Sequence, residues 1–179
     1  LISLASARAN ALQTDWKKSV PHKPEMLGIK VLKNYDLAEI AQHIDWGPFF
    51  QTWDLAGSYP AILQDAVVGE EARRVLGAGQ AKLKKIIEGR WLTAHGVIGL
   101  YPANTVNDDT IEVYRDESRS EVLMTWNPLR MQSVRPVVDG VKRPNRSLAD
   151  FVAPRADQGG KNDYIGLFAV TAGLGVEKK

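Results

Sequence analysis

Cysteine is missing from all 179 positions, which excludes disulfides, thiolate metal sites and covalent thiol catalysis, and a reducing, cytoplasmic setting is the expectation. Histidine is nearly missing: His22, His43 and His95 share no spacing of metal-ligand type, and His43 falls beside Ile44 on a helical face. All three are read as structural, and no metal is assigned. Long apolar runs are missing too, and the opening LISLASARANAL has no basic leader, so a soluble protein without a membrane partner is expected. Nor does one sign of charge prevail. Lys and Arg number 23 against 21 Asp and Glu, a formal +2, too little to make nucleic acid or an anionic membrane the default partner. No internal repeat or low-complexity tract occurs.

What is present is a globular balance, 44% hydrophobic and 25% charged residues, enough for one substantial core. Leu1 to Lys18 carries helix formers and then meets Val20-Pro21-His22-Lys23-Pro24, which reads as the end of a connecting helix followed by an extended linker over 19–28. GIKVL, from Gly28, is a short strand candidate; DLAEIAQHI, from Asp36, opens on an Asp cap and puts Leu37, Ile40, Ala41 and Ile44 on one side. PAILQDAVVGEEARRVLGAGQAKLKKIIEGRW predicts two or three helical pieces, with Gly69, Gly77 and Gly79 as possible breaks. The second half changes to β-branched and aromatic runs, VIGLYPA, TIEVYRD, EVLMTW and DYIGLFAVTA, with NDDT and DESRS as turns between them. Residues 128–162 form a long Pro-, Arg- and Asp-rich excursion with a helix-like SLADFVAP inside. The expected fold class is α+β: helices clustered in the first half, and an antiparallel β-sheet, a meander, built mostly from the second.

The most informative stretch is IDWGPFFQTWDLAGSYPAILQD, Ile44 to Asp65, in which Trp46, Phe49, Phe50 and Trp53 recur at helical spacing beside Asp45. Gly47-Pro48 supplies a helix start, and Gly57 followed by Pro60 a stop. On the residues alone, the favoured role of Asp45 is to cap that helix or close a turn after Ile44. Other groups also have plain duties. Asp108-Asp109 in NDDT is a hairpin signal before it is an acid-base pair. Arg115, Asp116, Glu117 and Arg119 read as alternating surface ion pairs, with contact to a cofactor or a neighbouring domain as the minor alternative. Trp91, Tyr101, Tyr114 and Trp126 read as core or strand-pair residues. Arg130, Arg135, Lys142, Arg143 and Arg146 gather in the excursion as a solvated loop or a docking patch for an acidic protein.

Three blocks in order, IDWGPFFQTWDLAGSYPAIL, GVIGLYPANTVNDDTIEVYRDESRSEVL and SLADFVAPRADQGGKNDYIGLFAVTAGLG, resemble the activation domain of cobalamin-dependent methionine synthase. The resemblance implies residues 1–27 as a connecting helix with a Pro-containing linker and 28–179 as the leading, N-terminal part of that domain. It implies a methyltransferase component that binds S-adenosylmethionine and presents its methyl group for reductive methylation of cob(II)alamin. The cobalamin is carried by a cobalamin-binding domain of the same polypeptide, and a flavodoxin-type reductase supplies the electron. Under the resemblance, Asp45 matches the acidic residue that holds the S-adenosylmethionine amino group, which reverses the preference for a capping role. No catalytic residue is implied, since such a domain works by positioning. The family's other ligand element, an Arg followed after three residues by Gly-Tyr-Pro, has no counterpart: GLYPAN, from Gly99, lacks the Arg at that spacing. The family continues beyond GLGVEKK, so a sheet face left apolar and open to self-association is a further expectation. The alternative reading is a non-catalytic interaction module or a reductase docking surface.

Overall fold

A computed structural model describes residues 1–178. In chain order the elements are α1 (Leu4–Ala9), β1 (Gly28–Leu32), α2 (Leu37–Ala41), α3 (Gly47–Thr52), α4 (Gly69–Glu88), β2 (Thr93–Asn107), β3 (Thr110–Tyr114), β4 (Val122–Trp126), β5 (Val137–Val138), β6 (Val141–Lys142) and β7 (Asp163–Leu174). Short 3-10 turns lie at Ala61–Gln64, Leu148–Phe151, Ala156–Gln158 and Val176–Lys178. The fold is α+β. Strands β1, β2, β3 and β4 are neighbours in that order, β7 pairs with β2, and β5 and β6 make a separate hairpin. Packing divides the chain into two compact units, Leu1–Lys30 with Ile98–Phe168, and Val31–Val97 with Ala169–Lys179.

The second of these units is built on α3 and α4. Pro48 sits in the first turn of α3, where its missing N–H costs nothing, and the helix ends at Thr52, after which Asp54 takes a left-handed φ of 56°. Phe50, Leu55, Ile62, Ala72, Val75 and Leu76 form the core, with Trp46, Phe49, Leu63 and Val68 packed against it. In α4 the buried Ala72, Val75 and Leu76 follow the i, i+3, i+4 spacing of a buried stripe. Glu70 and Glu71 in the first turn and Lys85 in the last suit the helix dipole.

Of the expected breaks, Gly69 is borne out, since it opens α4 after the 3-10 turn at Ala61–Gln64, but Gly77 and Gly79 do not interrupt the helix, which runs for 20 residues through both. A mid-helix glycine costs about 1 kcal/mol, which a packed amphipathic face outweighs. Gly79 has a packing reason, because a Cβ there would lie 2.8 Å from Phe49 Cζ, whereas one at Gly77 would meet nothing within 4 Å.

In the other unit β2 and β3 make a hairpin turning at Asp108-Asp109, with Ala103 opposite Val113, Thr105 opposite Ile111 and a bulge between Thr105 and Asn107. β4 continues the meander with Ile111 opposite Trp126. Ala103, Ile111, Val113, Ala149 and Val152 make the core, flanked by Tyr101, Trp126 and Ile165. The Leu148–Phe151 turn is closed by a capping box in which Ser147 and Asp150 exchange hydrogen bonds.

The predicted helix over Leu1 to Lys18 is confined to α1, capped by Ser3 and ended at Asn10. Tertiary bonds stop it. Asn10 donates through Nδ2 to Asn145 Oδ1 at 2.7 Å and to Arg143 O at 2.9 Å, and its carbonyl accepts from Asn145 N at 2.8 Å. Residues 19–27 carry neither helix nor strand, and Lys23 Nζ lies 2.6 Å from Glu117.

In the same unit Arg130 is drawn inside, its side chain 1% exposed. Nε donates to Asp109 Oδ1 at 2.6 Å, Nη1 to Asn145 O and Asp150 Oδ2, and Nη2 to Asp108 O and Asp150 Oδ1. Those bonds occupy every guanidinium donor. Arg8 Nε adds a second bond to Asp109 at 2.6 Å. The NDDT turn is thus a hairpin, and Asp109 is also a buried acceptor, which its sequence signal did not disclose.

Three outcomes are expected from denaturant titrations. Gly77→Ala stabilises by about 0.5–1 kcal/mol, from helix propensity alone, while Gly79→Ala destabilises by about 1 kcal/mol or more because Phe49 must move. Arg130→Ala costs roughly 3–5 kcal/mol, since it leaves buried carboxylates uncompensated.

Candidate functional site

Asp45 stands between α2 and α3, exposed to solvent, with Trp46 as the residue that opens α3. Its Oδ1 accepts the Gly47 N–H at 2.9 Å, which satisfies one of the orphan donors of the helix start. Oδ2 has no hydrogen bond among the described residues. The capping role and a ligand role therefore sit on different oxygens, and one lone-pair face stays free for a cation.

Next to it runs the aromatic wall expected from the spacing. Trp46 meets Phe49 edge-on at 5.3 Å and 88°, and Phe49 contacts Phe50 at 5.7 Å and Trp53 at 6.5 Å. Phe50 is fully buried and stacks on Tyr59 at 6.0 Å. Between α3 and α4 the Trp46, Phe49 and Trp53 rings line a hollow of about 560 Å³ with Ile44, Val75, Gly79, Leu83 and Ile86, and with Arg74 and Lys82 at its rim. Both rim cations are engaged, Arg74 with Glu71 at 2.7 Å and Lys82 over the Trp91 ring at 5.3 Å. Asp45 does not line the hollow, but its neighbours Ile44 and Trp46 do. A free carboxylate oxygen beside apolar rings suits a ligand with a cationic head and an apolar body.

The Arg115 to Arg119 segment behaves only partly as expected. Arg115 pairs with Glu121 at 2.5 Å on the surface, and Glu117 pairs with Lys23 and accepts from the Tyr164 hydroxyl at 3.1 Å. The Lys23 bond holds the Glu117 carboxyl below its usual range. Arg119 departs from the surface-pair reading. With φ at 54° and its side chain 13% exposed, it lies 5.6 Å from both the Tyr114 and Tyr164 rings. It donates to Asn104 Oδ1 at 2.8 Å and to Asp163 O at 3.0 Å. Asn104 in turn donates to the carbonyls of Ala153, Pro154 and Lys161. Arg119 thus pins the return of the excursion to β2, and buried Asn104 and Asn145 are hubs that sequence patterning missed, because a lone Asn reads as a turn residue.

Of the basic group in the excursion, Arg130 is corrected to a buried structural residue with no surface to offer. Lys142, Arg143 and Arg146 are exposed. GLYPAN lies inside β2, with Pro102 and Asn104 fully buried, so its residues serve the sheet. Tyr114 is core, as expected, and Tyr101 and Trp126 pack against the Ala103, Ile111 and Val113 cluster of the same unit. No group of His, Asp and Glu of metal-binding size occurs among the described residues. No described helix is long and apolar enough to cross a membrane.

Residues 36–179 match the family model of the vitamin B12 dependent methionine synthase activation domain. The chain belongs to this family. It is also similar to the crystal structure of the MetH reactivation domain bound to AdoHcy, with 41% identity and a TM-score of 0.82. That match covers 99% of this chain and 52% of the solved one, so the chain spans about half the length of the activation domain it resembles there. The aromatic wall, Asp45 and the Arg119 pin all fall within the family match.

Burial, and then the hydrogen bond to Glu112 at 2.9 Å, push the Tyr114 hydroxyl of this activation-domain chain up to about 12 from 10.0. The folded state holds that proton more tightly than the unfolded chain. Its contribution is therefore complete below pH 10 and disappears as pH rises through about 12. Urea midpoints across that window are expected to fall less steeply for Tyr114→Phe than for the unaltered protein.

Proposed function

We propose that this chain is the leading part of a methyl-donor-presenting domain, holding S-adenosylmethionine by its amino group on Asp45 for the reductive methylation of cob(II)alamin. One observation carries the reading: within a family match to an activation domain, the acid of IDWGPFF keeps Oδ2 free while Oδ1 is fixed by Gly47. An ammonium placed there forms a charge-assisted hydrogen bond to a carboxylate already held in one orientation, so little rotamer entropy is lost on binding. The similarity to a reactivation domain solved with AdoHcy, the demethylated product of that donor, supports the same ligand class.

The donor set fits the group. Asp45 offers an anionic acceptor, and its chain neighbours Ile44 and Trp46 line the apolar hollow that would take the body of the ligand. Cobalamin, carried by a neighbouring domain of the same polypeptide, supplies the methyl acceptor, and a flavodoxin-type reductase is the electron source. This chain contributes binding and orientation, and no acid-base step is assigned to it. Residues 1–27 serve as the connecting helix and linker, with 28–179 as the N-terminal part of the activation domain. The setting is the cytoplasm.

Calorimetry on the full-length polypeptide tests the assignment. Asp45→Asn is expected to weaken S-adenosylmethionine binding about tenfold or more, the worth of a hydrogen bond to a charged group. Equal affinity of the two proteins would remove Asp45 from the site. Failure of the unaltered protein to bind the donor would favour the interaction-module reading.

A further inference from the structure

Within the second unit, a hollow of about 570 Å³ lies where α4 ends and α2 begins, and Asp45 is not among the residues that line it. Leu37, Ile87 and Leu92, all half-buried, supply its apolar lining. Its edge is held in place. Tyr35 N donates to Ala94 O at 2.9 Å and Asn34 N to His95 Nδ1 at 3.2 Å, which ties the segment before α2 to β2. Asp36, which also lines the hollow, caps α2 by accepting the Ala38 N–H on Oδ1 at 2.8 Å. Its Oδ2 has no hydrogen bond among the described residues. Arg90 lines the hollow from the other side of the sequence, one residue past the end of α4, with its N–H donating to Ile87 O at 3.1 Å.

Arg90 takes a φ of 47°, the left-handed position after a helix that glycine fills at least cost, while Gly89 just before it stays at −81°. Helix termination alone therefore does not ask for this side chain. A cation near the end of α4 suits the helix dipole, but Lys85 in the last turn already supplies one. The Arg90 guanidinium makes no hydrogen bond, ion pair or ring contact among the described residues, whereas Arg74 and Lys82 at the α3–α4 hollow are both engaged. Other exposed cations are unpaired as well. What sets Arg90 apart is that it shares a concave, partly apolar site with an acid, Asp36, and that the two form no ion pair with each other. Two opposite charges thus border one hollow, each left to be satisfied from outside the chain.

We infer that this hollow binds a free aliphatic α-amino acid, with its carboxylate on the Arg90 fork, its ammonium on Asp36 Oδ2 and its side chain against Leu37, Ile87 and Leu92. A zwitterion satisfies both charges at once. A guanidinium matches a carboxylate through two parallel hydrogen bonds. The Asp36 carboxylate, already oriented by Ala38, accepts from the ammonium without first being ordered. A dianion such as phosphate meets Asp36 as a like charge, and a bare cation meets Arg90 in the same way. Concave sites with an apolar lining and a few polar groups are where small ligands bind. The site is separate from Asp45 and does not depend on the methyl-donor reading.

Calorimetry with leucine as the probe compares the full-length protein with Arg90→Gly, Asp36→Ser and Asp45→Asn. Serine keeps the cap of α2 while removing the charge. Glycine relieves the left-handed backbone, so the urea midpoint of Arg90→Gly is expected to hold or rise, and lost binding is then not a sign of unfolding. Should that midpoint fall, Arg90→Gln, which keeps a long polar side chain without the charge, carries the test. Arg90→Gly and Asp36→Ser are each expected to bind leucine about tenfold more weakly, the worth of a hydrogen bond to a charged group. Leucinamide and isocaproate, which each lack one of the two charges, are expected to bind the unaltered protein more weakly by a similar factor. Arg90→Gly should leave S-adenosylmethionine affinity unchanged, and Asp45→Asn should leave leucine affinity unchanged. An unaltered protein that ignores leucine overturns the inference, as does unchanged leucine affinity in either hollow variant, or inorganic phosphate bound more tightly than leucine. Leucine binding lost in Asp45→Asn also overturns it, by placing leucine in the methyl-donor site. Failure of the methyl-donor reading shows separately, as absent S-adenosylmethionine binding.

Discussion

Within its unit, the structure depends on one guanidinium. Arg130 is withdrawn from water, and the cost of that desolvation is offset only because each of its donors finds an acceptor. The acceptors come from the β2–β3 turn and, beyond β3 and β4 in the chain, from Asn145 and the turn that opens at Leu148. Arg8 shares Asp109 with it, so α1 is held to the same hub. A buried charge of this kind tolerates little displacement, because any slip leaves a carboxylate or an N–H unpaired in a medium where that is expensive. The excursion therefore has a fixed floor, which is why a hairpin of two-residue strands can stand out from it.

In the other unit the organising constraint is the close fit of Phe49 to Gly79. The ring occupies the space a side chain would have filled, which joins α3 to α4 and sets the direction in which α3 begins. Asp45 precedes that helix by two residues and is tied to it through Gly47. The carboxylate thus owes its orientation to a helix start and the helix owes its placement to aromatic packing. The free oxygen is held by elements whose own reasons for being there are apolar.

Much of this was legible in the sequence, and the parts that were not share a cause. Helical spacing of Trp46, Phe49, Phe50 and Trp53, the Asp36 cap and the β-branched runs act locally, so α2, α3 and strands β2, β3, β4 and β7 could be read directly. Gly79 was mistaken for a break because its partner lies thirty positions earlier. Arg119 and Arg130 looked like surface cations because composition does not say which charges find buried acceptors. Helix α1 stopped early because Asn10 bonds across to Asn145, a contact with no local signature. The Asp139-Gly140 hairpin is a different case: the dipeptide and its flanking valines were visible, but the length of the excursion hid them.

Charge disposition connects the two ends of the functional reading. A near-neutral chain has no long-range field with which to attract either a cationic donor or an acidic partner, so recognition falls to local imbalance. Some exposed charges are paired within the chain, Arg74 with Glu71 and Arg115 with Glu121 among them, while Arg119 and Arg130 hold the excursion from inside. Asp45 differs from these in being fixed without being consumed: Gly47 holds one oxygen in place and the other stays unbonded at the mouth of α3. A ligand site needs one fixed group with an apolar backing. A single oriented acceptor next to residues that line an apolar hollow meets that need for a small ligand with one ammonium.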